Sequence, residues 1–486
     1  MINTQTIILF LFNFFYFYIT HNIKMTSRYI QVRPDNVNPD ASISFKSGFP
    51  VLSFTIQSQQ GILNPSSIRI NGDMMVFKDN IQPVSTPVFT DDPLANAAGG
   101  GRVNMDSRLG VFALWDQLVI RHNKSKQICE HIRHYNKYLQ SYLGATSSRQ
   151  DLVGHLNESC LTQPNSESMF RNVVASSTVA QAAAVPKSFS CHLPSGFIMS
   201  GNRINLMEQS FGGIQIEIHL SPDSNCLFST SGDTRGIADA HYELTNLNLS
   251  CEIMDLSPEE LTVAQSQTEG ALEFNTISSL YTSINTGNAQ LQYSLGLRNL
   301  QSVFMTFTPS SHINTLSENG LAITYPSNAA GDIVSLNRVQ FLRGGQKYPV
   351  DFDMTGNTNG FPQNQAIATT SFFNVSDSQL TKQYLEAILP EYMLDRTSIS
   401  PMNLNRAYVM SAGEAASEYK AIPDGGAQFG LGMRYSQFNK GQDFSTLQWG
   451  CSIDSTLNTN SPQSVFLYFK ARALLTWNSN GIQLQS

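Results

Sequence analysis

Charge is what this sequence has least of. Asp, Glu, Lys and Arg make up 14% of its 486 residues, where an ordinary soluble domain carries about 25%. Hydrophobic content of 41% is enough for a substantial core, so the polar surface must be drawn from Ser, Thr, Asn and Gln. A surface of that kind is weakly hydrated and readily buried against copies of itself. No block of Lys or Arg occurs, and the net charge is −7 with a pI near 5.7. Displacing the counterions of a phosphate backbone takes clustered cations, so direct nucleic-acid binding, sequence-specific binding included, is not expected.

Motifs that carry chemistry are missing too. There is no Gly-x-Ser-x-Gly elbow of a serine hydrolase and no Cys-x-x-Cys pair. A metal-dependent cupin would need a His-x-His pair, and none exists. Gly99-Gly100-Gly101-Arg102 lacks the Lys-Ser/Thr of a phosphate loop and reads as a loop only. Cys129, His131 and His134 in ICEHIRHY have no fourth ligand nearby and match no zinc spacing, so they read as a strand-to-helix junction. Asp351 and Asp353 put two carboxylates on one face of a strand or turn, which could bind a cation weakly; a solvated loop edge is the plainer reading. No catalytic, cofactor-binding or metal site is expected, and the chain does not read as an enzyme.

The long hydrophobic run is confined to Ile7–Ile19, 13 residues interrupted by Asn13. As a helix it would span about 20 Å, short of the roughly 30 Å hydrocarbon core, so no transmembrane span is expected. Met1 to Thr6 supplies no positive side chain, and no small-x-small cleavage site follows. The run stops at a second methionine, Met25, after which ordinary polar sequence begins. The expectation is that residues 1–24 are an over-called extension and that translation starts at Met25. The six cysteines, Cys129, Cys160, Cys191, Cys226, Cys251 and Cys451, are thinly spread. They read as reduced, buried thiols rather than a disulfide framework, which leans towards an intracellular product.

Strand patterns dominate what is present. Ile214, Ile216, Ile218 and Leu220 alternate with polar residues, as do Leu247, Leu249, Cys251 and Ile253. Ile68 to Phe77, with Asn71-Gly72 in its middle, predicts a hairpin. Ser464 to Phe469 is apolar on both faces and needs cover from a second sheet and from a neighbouring lobe or subunit. In that strand Phe466 and Tyr468 should face one side, and Val465, Leu467 and Phe469 the other. Helical spacing occurs at Ile128–Leu143 and at Leu380–Leu389. Long loops are expected over Thr90–Met105, Ser221–Asp239 and Thr355–Thr370. Leu256-Ser257-Pro258-Glu259-Glu260 is the candidate boundary, giving parts 25–258 and 259–486 with the same coarse order of elements.

Several stretches together resemble the double jelly-roll major capsid proteins of double-stranded DNA viruses, those of polinton-like viruses and virophages above all. They are Gln127 to Ile132 leading into Tyr135-Asn136-Lys137-Tyr138, Phe189 to Pro222, Leu297 to Phe304, and Val339 to Pro349 with its Gly344-Gly345 and Tyr348-Pro349. Each is short; their order gives the set its specificity. The resemblance implies an all-β fold of two consecutive jelly-roll β-sandwiches with short helices and long loops. It implies a homotrimer packed as a pseudo-hexagonal capsomer, neighbouring capsomers and a single jelly-roll penton protein as partners, and a place in the virion after synthesis in the host cytoplasm. A rival reading is a secreted β-sandwich that binds glycans or cell surfaces, with oxidised cysteines and glycosylated sequons such as Asn157-Glu158-Ser159.

Overall fold

The computed structural model describes residues 26–77, 103–162, 186–229, 238–323, 326, 336–348, 373–388, 406–409, 430–436 and 440–485, apart from short omissions inside those spans. Residues 1–24, Gly99–Arg102, Asp351–Asp353 and Thr355–Thr370 lie outside them. In chain order the first half runs β1 (Ser27–Val32), β2 (Val51–Ile56), β3 (Ile62–Phe77), β4 (Val103–Met105), β5 (Trp115–His122), β6 (Ile128–Arg133), α1 (Tyr135–Thr146), α2 (His155–Cys160), β7 (Lys187–His192), β8 (Ile204–Asn205), β9 (Ile214–Leu220), α3 (Asp223–Cys226), β10 (Leu227–Ser229) and β11 (His241–Met254). A linking helix, α4 (Pro258–Ser266), follows. The second half has β12 (Gly270–Ile284), β13 (Asn288–Tyr293), β14 (Leu300–Pro309), β15 (Leu336–Arg343), β16 (Gln346–Lys347), β17 (Phe373–Ser376), α5 (Ser378–Ile388), β18 (Arg406–Val409), β19 (Gly430–Arg434), β20 (Trp449–Ser455), β21 (Gln463–Asn478) and β22 (Gly481–Gln485).

Each half builds two antiparallel sheets with one and the same strand order. The first half pairs β1-β11-β3-β7 and β2-β9-β5-β6; the second pairs β12-β21-β14-β19 and β13-β20-β15-β16. Counting the eight main strands of each half from its start, both read 1-8-3-6 facing 2-7-4-5. That order is a jelly roll, so the chain is a double jelly roll. Among the described residues, no sheet takes strands from both sides of α4. The candidate boundary opens that helix: Ser257 caps it, its hydroxyl accepting from Glu260 N while its own N–H donates to the Glu260 carboxylate. The helices repeat as well, α1 and α5 each falling between the fifth and sixth strands of their half.

Alternation was a reliable guide to the strands. β9 buries Ile214, Ile216, Ile218 and Leu220, and β11 buries Leu247, Leu249, Cys251 and Ile253. Three expectations are corrected. Ile62–Phe77 is one unbroken strand, not a hairpin at Asn71-Gly72. Gly72 serves instead for close packing beside a bulge in β11: a Cβ there would fall 2.7 Å from Leu247 Cδ2 and 3.1 Å from Thr245 O. Asn71 joins three strands, donating to Asn248 Oδ1 and Ser250 Oγ at 3.0 Å each and accepting from Ser190 Oγ at 2.7 Å. Second, helix does not begin at Ile128. Ile128–Arg133 is β6, His134 turns the chain at φ 50°, and α1 starts at Tyr135. Third, two expected loops contain short elements, β4 in one and α3 with β10 in the other, and β4 pairs with β10.

Candidate functional site: the seam between the two lobes

The interior of the second jelly roll is an ordinary two-sheet core of Val303, Phe341, Trp449, Val465, Leu467 and Phe469, among others. The first lobe's core does not stop at its own sheets. It continues into the second lobe through Phe274, Ile277, Phe304, Tyr384, Phe466 and Tyr468. β21 therefore has a different core on each face over Val465–Phe469, as its doubly apolar sequence demanded. The cover on the outward face comes from the first lobe of the same chain.

Aromatic side chains fill the seam. From α1, Tyr138 lies 5.7 Å from the Tyr468 ring and 6.2 Å from Phe304, and Phe304 stacks on Tyr468 at 5.1 Å. Phe197 meets Phe274 edge-on at 5.2 Å, and His134 meets Phe466 at 4.9 Å. Such pairs add about 0.5–1.5 kcal/mol each beyond the area they bury. α5 lies over the same sheet of the second lobe. Its close approach is possible because Gly430 and Gly432 leave room for Tyr384 and Ala387.

Polar groups fix the register of this apolar contact. Glu130, 2% exposed, accepts from the N–H groups of Gly196 at 3.2 Å and Phe197 at 2.9 Å within its own lobe, and from Ile277 N at 3.1 Å across the seam. Burial pushes its carboxyl up to about 7, against the pull of these donors and the Ser195 hydroxyl. Gly196 is seated against β12: a Cβ on it would come within 1.4 Å of Asn275 O. Arg133 N donates to Ser279 Oγ at 2.8 Å, Tyr468 OH to His134 O at 2.8 Å, and Asn202 Nδ2 to Glu273 O at 2.7 Å.

Lys137 is the seam's buried cation. It crosses from α1 to donate to Thr308 Oγ1 at 2.5 Å and to Ala322 O at 3.1 Å, with Nζ 5.0 Å from the centroid of the Phe466 ring. Burial pulls its ammonium down to about 7, opposed by the Asp106 carboxylate. Asp106 in turn accepts from Gln140 Nε2 at 3.0 Å in its own lobe and from Asn319 Nδ2 at 2.7 Å in the other.

The ICEHIRHY residues are not brought together as ligands. The Cys129 thiol, pushed up to about 12 by burial, points at Gln127 O. His131 Nε2 pairs with Gln117 Oε1 at 3.1 Å, and His134 packs in the seam 3.8 Å from Asp116. Among the described residues, no three His, Cys, Asp or Glu side chains are grouped to hold a metal ion, and no helix is long and apolar enough to cross a membrane. Glu130, Lys137 and Gly196 all lie in stretches that carry the resemblance, but nothing in the sequence marked them as the polar anchors of a contact between lobes.

No family model and no curated protein matches the chain in sequence. Solved structures do match. The capsid of the virus PBCV-1 is similar over 97% of this chain and 99% of that one, with a TM-score of 0.55 and 10% identity. The faustovirus major capsid protein is similar over 94% of this chain and 92% of that one, with a TM-score of 0.50 and 10% identity. At such identity the likeness concerns the fold.

Proposed function

We propose that this chain is a major capsid protein, three copies of which form a pseudo-hexagonal capsomer in the icosahedral shell of a double-stranded DNA virus. The observation that carries the proposal is the joining of two jelly rolls of identical strand order across a seam of aromatic side chains; the reading takes 25–258 and 259–486 as the two lobes. Each chain then offers two near-equivalent lobes, and three chains offer six. The two solved structures described above are a virus capsid and a major capsid protein. A low-charge, amide- and hydroxyl-rich surface suits contact with copies of the same molecule. In this reading the chain works by assembly, in the virion, after synthesis in the host cytoplasm. Its partners are its own copies, neighbouring capsomers and a single jelly-roll vertex protein.

The test is the solution mass of protein expressed from Met25, by light scattering, with electron micrographs of the same fraction. A stable trimer with a hexagonal outline is expected. A compact monomer that fails to associate at high concentration defeats the proposal.

A further inference from the structure

We propose that Cys160 and Cys191 are a site of oxidative modification, a paired dithiol that closes to a disulfide when the folded protein meets a small-molecule disulfide oxidant. All six cysteines are free and buried, yet these two are set apart from the rest. Cys129 and Cys226 point at backbone carbonyls of their own turns, and Cys251 and Cys451 are held up by burial alone. Cys160 ends α2, and Cys191 lies in β7, the edge strand of the first lobe's sheet. The Cys191 side chain lies against the last turn of α2, which carries Cys160. Both sulfurs also converge on one residue: Cys191 Sγ donates to Ser159 O at 3.7 Å, and Ser159 Oγ is 3.4 Å from Cys160 Sγ.

The backbone holds this pair in place. Gly110, at φ 54°, packs so tightly on the end of α2 that a Cβ there would lie 2.1 Å from Cys160 O. Leu161 closes the helix in the left-handed region, its N–H donating to Asn157 O at 3.0 Å. The chemistry of the two thiols is also divided. The Cys160 thiol is pulled down to about 5, first by Cys191 and then, against burial, by His192 and Ser159, whereas burial drives Cys191 up. Cys160 lies beside the Ser159 hydroxyl, 3.4 Å from its Oγ, which favours its thiolate, so the reaction is written with Cys160 attacking first.

With oxidised glutathione as the oxidant, the Cys160 thiolate attacks one of its sulfurs and releases one glutathione thiolate. Cys191 then gives up its proton, attacks Cys160 Sγ and releases the second. The two cysteines lose two electrons and two protons, and two glutathione thiols are formed. Both sulfurs are buried, so the oxidant enters when α2, only six residues long, opens locally; such openings need less free energy than global unfolding. The new bond would tie both ends of the stretch 161–190 to a single point and stabilise the lobe by restricting its unfolded chain. A protein folded among reduced thiols would tighten on reaching an oxidising medium. This inference does not depend on the capsid reading.

The experiment incubates the folded full-length protein with oxidised glutathione, denatures it in N-ethylmaleimide and maps the peptides by mass spectrometry. The expected product is one linked peptide pair, Cys160 with Cys191, lighter by two hydrogens, with the other four cysteines alkylated. Dithiothreitol should reverse it, and the oxidised form should melt at a higher temperature. In Cys191→Ser the reaction should stall as a glutathione adduct on Cys160. Alkylation of all six cysteines after the treatment, or a link through any other pair, overturns the proposal, and wild-type protein alone decides that point.

Discussion

Glu130 accepts the backbone N–H of Ile277 at 3.1 Å, 147 residues further along the chain. The same carboxylate holds Gly196 N and Phe197 N of its own lobe. One side chain thus orients the edge of the second jelly roll against a turn of the first, with no cation paired to it among the described residues.

That burial makes stability depend on pH. The folded-state value of Glu130 is raised from an ordinary 4.5 to about 7, so between those limits the folded protein binds more protons than the unfolded chain. The stability this group contributes is fully present below pH 4.5 and is lost as pH rises through 7, a change on the order of 3 kcal/mol. Urea unfolding of wild type should therefore show falling stability from pH 5 to 7.5. Glu130→Gln should be less stable at pH 5 and flatter across that window. Parallel curves for the two proteins would contradict the assignment.

Lys137 has the opposite sign on the alkaline side. Its value is lowered from 10.5 to about 7, so the unfolded chain binds more protons between those limits and stability rises with pH across them. Lys137→Met removes two hydrogen bonds together with the desolvation of a charge. Near pH 6.5 it should be neutral or stabilising, as replacing buried charge by apolar volume often is. By pH 9 the balance should turn against the variant. Thermal midpoints at the two pH values settle the point.

Gly196→Ala should be severe, because the added carbon meets the backbone oxygen of Asn275 and the lobes must separate to admit it. Overpacking of this kind costs about 1–3 kcal/mol or more. Gly201→Ala is the control. Gly201 sits at φ 76° with nothing near its missing Cβ, so only local strain is added, about 1 kcal/mol. Soluble yield and chemical denaturation of the two variants should differ clearly.

Tyr468 separates hydrogen bonding from packing. Tyr468→Phe loses only the bond to His134 O and should cost about 1 kcal/mol. Tyr468→Asp puts an unpaired charge between Tyr138 and Phe304 and should cost about 3–5 kcal/mol. The first effect should be on folding of the single chain, with any loss of trimer secondary, since the Tyr468 ring faces the chain's own first lobe. A folded Tyr468→Asp monomer with an unchanged melting point would refute the placement.

What was legible in the sequence was local. Alternation marked β9 and β11 because each buries one face, and the two-sided apolarity of Ser464–Phe469 marked a strand between two cores. Glycine pairs show where local signals give out. Gly344-Gly345 does turn the β15–β16 hairpin, both residues at positive φ, but Asn71-Gly72 is extended strand. The same dipeptide chemistry serves a tight turn in one setting and a crowded crossing in another, and only β11 and Phe189, distant in sequence, decide which. Glu130, Gly196 and Lys137 were illegible as a set for a related reason. Their partners Ile277, Asn275 and Thr308 belong to the other half of the chain, and nothing periodic links them.

β21 is the common wall of both cores, and among the described strands only β22 follows it in the chain. Until Phe466 and Tyr468 emerge, the Tyr138 face of α1 has no complete partner, though its own jelly roll has long since been synthesised. The first lobe, complete at Met254, must therefore wait with an apolar surface open until β21 is made from Gln463 onward. Folding of this molecule is governed by order of arrival: a chain cut short between the end of β11 and the start of β21 leaves that surface uncovered and prone to stick to its neighbours on the polysome.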